Sequence, residues 1–318
     1  MKIIENYTDL NQEYHKSVVA IGNFDGIHNG HKALIRKVVQ LANQNARLAG
    51  LITFTPHPRV FFSGEKNFSQ INDEVTKQDI LSRQDLDILF KIKFNQHLSL
   101  MPPDVFFNHV LKNGINVSHI IVGSDFKFGY KRSGNIEILK YLSKENNIGF
   151  DVIEKQANSL SKTYSSSSIR EYLLQGNIAE VNKMLGHYWY TMGVVITGAN
   201  KGNQIGYPTI NIRLDGSIKF AHGIYATNVY IDSKRYQGAT YYGKRPTYEG
   251  TEEFLETYIF DFNSNIYDHE VKIEFIDFVR YDQTYESDNK LKNQMKIDCE
   301  NVLIKLQYYD KKFSLLDK

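Results

Sequence analysis

The spacing of apolar residues changes near residue 186, and this change constrains the fold more than any other feature. Before it, short apolar runs alternate with helical patterns, as in HKALIRKVVQLA (31–42). The runs are SVVAIG (17–22), LAGLITF (48–54), HIIVG (119–123) and FDVIEK (150–155). Such alternation is typical of βαβ units and a parallel sheet. We therefore predict an α/β domain over residues 1–186.

After residue 186, period-two segments rich in aromatic and β-branched residues replace the helical patterns. They are YTMGVVITG, GIYATNVYI, YQGATYYG, LETYIFDF and VKIEFIDFVR. Short strands separated by glycine turns predict a small antiparallel barrel or sandwich over residues 187–318. The last stretch returns to helical spacing through Leu291, Met295, Val302 and Leu306. We expect this C-terminal helix to pack on the barrel.

Two short helices are predicted to close the first domain. Their N-cap and N3 pairs are Ser168 with Glu171 and Asn177 with Glu180, and their helix-ending glycines are Gly176 and Gly186. These residue types at these spacings are the usual signals for the start and end of a helix.

The composition is that of a soluble globular protein, with 42% hydrophobic and 23% charged residues. A net charge of +2 gives no global reason to expect a nucleic-acid partner. The N-terminus has no apolar signal region, and no stretch approaches the roughly 18 to 20 apolar residues that cross a bilayer. The single cysteine, Cys299, excludes an intramolecular disulfide. We predict a cytoplasmic protein without a membrane or nucleic-acid partner, and leave weak self-association open.

The segment GNFDGIHNGHKALI (22–35) is the strongest candidate for a chemical site. A strand that ends in a glycine-rich turn and enters a helix directs free backbone N–H groups and the helix dipole at one point, which favours phosphate. His28 and His31 can face the same anion there and stabilise its charge. The predicted phosphate-binding residues beside them are Gly22, Phe24, Asp25 and Gly30.

Other interpretations of this pair stay open from the residues alone. Histidines at this spacing can equally be capping or solvated side chains. Together with Asp25, they could also form a metal site.

A serine run forms a second candidate phosphate site. Ser165, Ser166 and Ser167 precede a predicted helix, so their hydroxyls, free N–H groups and Arg170 could hold the β- and γ-phosphates of ATP. The alternative is that the run is only an N-cap.

A glycine-rich loop, GANKGNQIGYPTIN (198–211), forms the third candidate. Gly198, Gly202 and Gly206 could bind phosphate, but the loop lacks the GK[ST] ending of a P-loop. A β-turn explains these glycines equally well.

The histidine segment carries a resemblance to known proteins. HNGH is similar to the HxGH signature of the nucleotidyltransferase superfamily. Three further segments, TFTPHPRVFF (53–62), VGSDFKFGYKRSGN (122–135) and SSSSIREYL (165–173), resemble in this order the motifs of bacterial bifunctional riboflavin kinase and FMN adenylyltransferase. The resemblance implies a Rossmann-like nucleotidyltransferase domain that transfers AMP from ATP to FMN.

The same resemblance implies roles for residues that sequence reasoning alone would leave unassigned. His57 with Pro58 is implied to lie near FMN, and Asp125, Phe126 and Phe128 to line the flavin and ATP pocket. In the serine run, Ser167 replaces the family's threonine, which keeps a hydroxyl.

The second half resembles riboflavin kinase over nearly its full length, through PTIN, HGIYAT, YYGKRPT, LETYIFDF and IYDHEVKIEF. This implies a six-stranded Greek-key barrel with ATP and riboflavin as substrates. Thr209 and Asn211 match the family's PTAN element, which is implied to bind Mg²⁺ and ATP phosphate. Their oxygens are hard ligands suited to that ion. Glu256 is implied to be the general base for the ribityl hydroxyl.

Several residues depart from the kinase pattern. Asn203 stands where the family usually has arginine, and Tyr241-Tyr242-Gly243 where it has asparagine-isoleucine-glycine; Ile210 and Asp268 replace commoner alanine and glycine. An FMN adenylyltransferase with a degenerate kinase domain is therefore one alternative. A non-catalytic flavin-sensing or RNA-binding protein is another, and HNGH alone would also fit a pantetheine or nicotinate phosphate substrate.

Overall fold

The polypeptide divides into two units in a computed structural model. The structure describes residues 1–64, 67–155, 164–197, 206–214, 216–247 and 250–314. Unit 1 comprises Met1–Phe68 and Lys77–Ser165, and unit 2 comprises Ser69–Thr76 and Ser166–Lys318. The unit boundary thus lies before the two helices expected to close the first domain, whereas the predicted boundary at residue 186 follows the change of hydrophobic period.

Strands and helices alternate through the first half. The strands are β1 (Lys2–Ile4), β2 (Val18–Ile21), β3 (Ala49–Thr55), β4 (Ile88–Lys93), β5 (His119–Gly123) and β6 (Gly149–Ile153). The helices are α1 (Asn29–Gln44), α2 (Pro58–Ser63), α3 (Glu74–Ser82), α4 (Gln96–Ser99), α5 (Pro103–Phe106) and α6 (Ile136–Glu145). The chain continues after α5 as a π-helical segment, Phe107–Ile115.

The six strands form one parallel sheet in the order β1-β4-β3-β2-β5-β6. From β2 the chain runs outward through β3 and β4, and then returns to β5 on the other side of β2. In such sheets, ligands bind outside the carboxyl ends of the strands at the point where the order reverses. The fold therefore favours a site above the ends of β2 and β5.

Burial explains these elements. All four residues of β2 are buried, as expected for a parallel strand covered on both faces. α1 buries Leu34, Ile35, Val38 and Ala42 along one face, which confirms the predicted amphipathic helix. The helix begins two residues before the predicted start at residue 31 because the chain enters it directly from the turn after β2.

Unit 2 contains the predicted barrel. Its elements are α7 (Ser166–Leu174), α8 (Ile178–Leu185), β7 (Trp189–Ile196), β8 (Thr209–Arg213), β9 (Gly223–Ile231), β10 (Lys234–Thr247), β11 (Gly250–Ile259), β12 (Glu270–Tyr281) and α9 (Asp288–Ser314). The strands close in the order β10-β11-β8-β7-β12-β9, and all their pairings are antiparallel. Because β8 lies beside β11 after the β9-β10-β11 meander, the Greek key is confirmed.

The C-terminal helix is confirmed as well. Val302 and Leu306 of α9 are buried against Ala226 of β9 and Ile276 of β12. The part of the predicted apolar stripe formed by Val302 and Leu306 therefore faces the barrel.

The two cap predictions have different outcomes. Asn177 accepts a hydrogen bond from the backbone N–H of Glu180 at 3.3 Å, and Gly186 ends α8 with φ of 68°, as predicted. Ser168 was wrongly assigned as an N-cap, because α7 begins at Ser166 and encloses it. Because the serines of this run are equivalent, the sequence does not reveal at which of them the helix begins.

Candidate active sites

Three loops at the carboxyl edge of the unit 1 sheet carry predicted site residues. Gly22–His28 follows β2, His57 and Pro58 follow β3, and Asp125–Phe128 follows β5. Since the carboxyl ends of parallel strands share one edge, the sheet places these segments on the side that the strand order favours for a ligand.

The turn after β2 has an unusual backbone. Phe24 and Ile27 have φ of 47° and 35°, and Gly26 has φ of 84°. Phe24, Asp25 and Ile27 are nonetheless buried. Non-glycine residues in this region are strained and persist only where surrounding packing holds them, often at functional sites. The turn therefore enters α1 in a fixed conformation.

His28 is the N-cap of α1. Its Nδ1 accepts a hydrogen bond from the backbone N–H of His31 at 3.3 Å, so the capping interpretation is confirmed. An imidazole nitrogen that accepts this bond carries no proton, so the neutral ring has its proton on Nε2. Capping thus fixes the tautomer and does not compete with a role in catalysis.

His31 stacks on His28 with ring centroids 3.8 Å apart and planes 15° apart. The ring centroid of Phe24 lies 5.3 Å from that of His31. Burial lowers the pKa of His31 well below its ordinary range, and His28 and Lys77 lower it further. His31 is thus a neutral imidazole near pH 7, and its buried Nδ1 has no hydrogen-bond partner among the described residues.

Gly30 makes room for the capping ring. A Cβ atom at this position would lie 3.0 Å from Cε1 and 3.1 Å from Nδ1 of His28. The neighbouring Gly22 is less restricted, because its Cβ would lie 3.4 Å from the Phe24 ring. A side chain at the glycine of HNGH would thus press against the His28 ring.

His57 and Pro58 begin α2. Nδ1 of His57 accepts the backbone N–H of Arg59 at 3.1 Å, and the His57 ring stacks on Phe68 at 4.7 Å. His57 is buried, and these two contacts fix the loop after β3. Its proximity to FMN stays a prediction.

The loop after β5 combines a surface charge with aromatic side chains. Asp125 is exposed and forms an ion pair with Lys155 at 3.0 Å. Phe126 stacks on Phe128 at 5.7 Å, and the buried Phe128 packs on Phe106 at 5.8 Å. Phe128 is therefore part of the core as well as of the loop.

The serine run lies where the two units are divided. Ser165 ends unit 1, whereas Ser166, Ser167 and Arg170 belong to α7 in unit 2. Nε of Arg170 donates to the backbone carbonyl of Ser69 at 2.6 Å, also in unit 2. Its guanidinium thus has a structural bond, and phosphate binding by this segment stays a prediction.

In unit 2, the structure brings together the three residues predicted for kinase chemistry. The Thr209 hydroxyl donates to Oε1 of Glu256 at 2.6 Å. Asn211 is buried and is the cross-strand neighbour of Glu256 on β8. Gly206 precedes them with φ of 90°. Gly198, Gly202 and Asn203 lie outside the described residues.

Tyr241 lies on the other side of Glu256, as its neighbour on β10. Its ring extends over Gly243, where a Cβ atom would lie 2.0 Å from the phenol oxygen, and the phenol donates to Asp282 Oδ2 at 3.0 Å. Asp282, Gln283 and Thr284 line a cavity of about 430 Å³. Tyr241, which departs from the family pattern, is therefore a neighbour both of Glu256 and of Asp282, which lines this cavity.

Models of two known protein families match this chain, one in each half. The FAD synthetase family model matches residues 10–168, and the riboflavin kinase family model matches residues 185–306. A bifunctional riboflavin kinase/FMN adenylyltransferase from Buchnera aphidicola (subsp. Schizaphis graminum) is 32% identical over 95% of this chain and 98% of its own length. One from Haemophilus influenzae is 33% identical over 94% and 97%. This chain belongs to the bifunctional riboflavin kinase/FMN adenylyltransferase family.

A solved structure from Streptococcus pneumoniae, described as a macrolide-efflux protein, has the fold of this family member. It superposes with a TM-score of 0.82 and 29% identity, covering 94% of this chain and 97% of that one. Its description names transport, whereas the family models and curated relatives that cover the same residues name flavin enzymes. The agreement in fold extends over both units.

An aromatic series in unit 1 was only partly found from the sequence. Phe126 and Phe128 were predicted, but the series continues through ring contacts of 5.2 to 6.4 Å. Its further members are Phe54, Phe61, Phe62, Phe94 and Phe106. Phe62 is 70% exposed, which leaves one end of the series open to a flat ligand. The sequence signal was the pair of phenylalanines that ends TFTPHPRVFF.

Within the part of the chain that the structure describes, no three His, Cys, Asp or Glu side chains are arranged to hold a metal ion, so Asp25 does not form such a group with the two histidines. Among the same residues, no helix is long and apolar enough to cross a membrane.

Proposed function

We propose that this family member makes FAD in two steps. Unit 2 phosphorylates riboflavin to FMN with ATP, and unit 1 transfers AMP from a second ATP to FMN and releases pyrophosphate. The observation that carries the proposal is the stacked His28–His31 pair at the N-terminus of α1, above the point where the strand order reverses. This arrangement suits an anion that gains charge during reaction.

In adenylyl transfer, a phosphate oxygen of FMN attacks the α-phosphorus of ATP in line with the leaving pyrophosphate. The nucleophile is already an anion, so the step needs no general base. Positioning and charge stabilisation carry the rate. His28 and His31 supply hydrogen bonds from a fixed stack, and the N-terminus of α1 supplies the positive end of the helix dipole.

Riboflavin phosphorylation places a different demand on unit 2, because an alcohol attacks the γ-phosphate. Glu256 accepts the hydroxyl proton as this attack begins. The Thr209 hydroxyl, which donates to Oε1, fixes the orientation of the carboxylate. Asn211 lies directly across the strand pair and completes the polar row.

The donor set of this row fits Mg²⁺. Thr209, Asn211 and Glu256 offer hydroxyl, amide and carboxylate oxygens, and Mg²⁺ prefers few protein oxygens completed by phosphate and water. Thr209 and Asn211 would hold the ion with ATP. When bound, Mg²⁺ neutralises part of the phosphate charge.

Other assignments rest on the sequence. They are a cytoplasmic location, flavin binding by His57, Pro58, Asp125, Phe126 and Phe128, and phosphate binding by Gly22, Phe24, Asp25, Gly30, Ser165, Ser166, Ser167, Arg170, Gly198, Gly202 and Gly206. The exposed end of the aromatic series supports flavin stacking in unit 1.

A paired assay tests both steps. Purified protein with ATP and Mg²⁺ receives either riboflavin or FMN, and the flavins are separated by chromatography. Wild type should form FAD from both. His31→Ala should form FMN from riboflavin but lose FAD formation by about 100-fold or more, whereas Glu256→Gln should form FAD only from FMN.

The outcomes separate the alternatives. FAD from FMN alone in wild type would support the adenylyltransferase with a degenerate kinase domain, for which Tyr241 beside Glu256 is the specific observation. FAD from neither substrate would overturn the proposal. FAD formation at the wild-type rate by His31→Ala would remove the histidine pair from the mechanism.

A further inference from the structure

A buried lysine acts electrostatically on His31 and has no part in the mechanism above. Lys77, on α3, is 6% exposed. Its Nζ donates a hydrogen bond to Oγ1 of Thr53 at 2.9 Å. Thr53 lies on β3 and is fully buried. A lysine rarely occupies such a position unless specific contacts retain it.

The contact continues into the turn that precedes α1. The Thr53 hydroxyl donates to the backbone carbonyl of Asn23 at 3.2 Å. A hydroxyl has one proton, so accepting from Lys77 and donating to Asn23 uses its capacity in one consistent direction. The relay therefore runs from Lys77 through Thr53 to the residue before Phe24, where the backbone adopts its positive φ.

The ammonium charge also acts on the histidines. Apart from burial, the groups that lower the pKa of His31 are His28, at the entrance of α1, and Lys77, from α3. Both disfavour the imidazolium form. An anion bound at the pair would reverse this balance, because it attracts both the ammonium and a protonated ring.

We propose that Lys77 is a positioning residue for adenylyl transfer, which holds the Gly22–Gly26 turn through Thr53 and adds positive charge behind the His28–His31 pair. This inference rests on the proposed adenylyltransferase activity of unit 1. If Lys77 had only a structural role, folded Lys77→Met protein would form FAD at the wild-type rate, because methionine has a similar length. The positive charge of Lys77 has a function when a negatively charged phosphate enters the site, because the two attract each other.

The test compares Lys77→Met with Lys144→Met, which removes an exposed lysine from α6. Lys77→Met should lower kcat for FAD formation from FMN by about 100-fold, with KM for ATP within about threefold of wild type. Riboflavin phosphorylation by the same preparation should be unchanged. The imidazole signal of His31, followed by NMR in ligand-free protein, should titrate at higher pH than in wild type, and Lys144→Met should match wild type throughout.

Thr53→Val provides a second variant, in case Lys77→Met does not fold. It interrupts the relay but keeps the charge, so kcat should fall by about tenfold while His31 titrates as in wild type. Thr53→Ser should restore kcat. Wild-type kcat in Thr53→Val, or wild-type kcat and His31 titration in Lys77→Met, would overturn the inference. If wild type itself forms no FAD from FMN, the proposed function fails instead.

Discussion

His28 and His31 show how one pair of side chains can determine both helix initiation and chemistry. His28 caps α1 by accepting the backbone N–H of His31, and the two rings stack. The bond fixes the His28 tautomer, and burial keeps His31 neutral. We therefore expect the neutral ring of His31 to contribute a hydrogen bond. A bound anion would raise the pKa of His31 and so favour its charged form.

The lowered pKa of His31 predicts a pH-dependent stability. The unfolded chain binds this proton near pH 6.5, the ordinary value for histidine, whereas the folded chain resists it. The stability contributed by the neutral ring is present above that pH and is lost as pH falls toward the folded-state pKa. As the pH is lowered from about 7.5 to 5.5, the free energy of unfolding should fall less in His31→Gln than in wild type.

Urea unfolding followed by far-UV circular dichroism, with hydrogen exchange of α1 amides, measures this difference. His97→Gln, which changes an exposed histidine of α4, is the control and should follow wild type. Equal pH dependence in wild type and His31→Gln would contradict the expectation.

Among the secondary-structure elements, α9 is joined to β12 by a buried ion pair. Arg280 of β12 donates from Nε and Nη2 to the two carboxylate oxygens of Asp298 at 2.8 and 2.7 Å. Asp298 is 3% exposed and also accepts from Gln294 at 3.0 Å. The pair joins the end of β12 to the middle of the helix.

Breaking this pair should destabilise unit 2. Asp298→Asn removes the charge opposite Arg280 and should lower the free energy of unfolding by about 3 to 5 kcal/mol. Asp310→Asn breaks the exposed pair with Arg235 and should cost less than about 1 kcal/mol. Trp189, the only tryptophan, is buried in the barrel and reports both by fluorescence during urea unfolding. Equal midpoints for the two variants would show that the buried pair does not hold α9.

Hydrophobic spacing predicted β2, β3, β5, β6, α1 and five of the six barrel strands because each has a strong period of its own. It did not predict β1, β4 or β8. β1 has three residues at a sheet edge with little burial, which is too short for a periodic signal. β4 reads ILFKIK, a mixed run that periodicity alone does not separate from a helix. Strand order and register come from long-range pairing, which no local pattern encodes.

The candidate sites were predictable to a similar degree. The histidine pair and the Thr209–Glu256 pair follow from short motifs, and the structure brings the members of each together. Lys77 was not predicted, because a single lysine in the helical pattern EVTKQDIL is typical of an exposed surface. Its burial results from the packing of α3, and only the fold reveals its contact with Thr53.

For the whole molecule, each unit has its own core and its own proposed reaction. We therefore expect complementation between inactive variants. A mixture of His31→Ala and Glu256→Gln should convert riboflavin to FAD after a lag in which FMN accumulates, although neither variant does so alone. Chromatography of timed samples follows the three flavins. FAD formation that never exceeds the level of the separate variants would show that the two reactions require one intact chain.

The two sheets also differ in what they present to other molecules. The pairing of β9 with β10 closes the barrel, so each strand has a hydrogen-bonded neighbour on both sides. Among the described residues, the sheet of unit 1 instead ends at β1 and β6, each with backbone donors and acceptors along one side. Strand-to-strand aggregation of crowded or partly denatured protein would therefore start from unit 1. β1 offers three residues for such pairing, whereas β6 offers five, which makes β6 the more exposed route to fibre-like assembly.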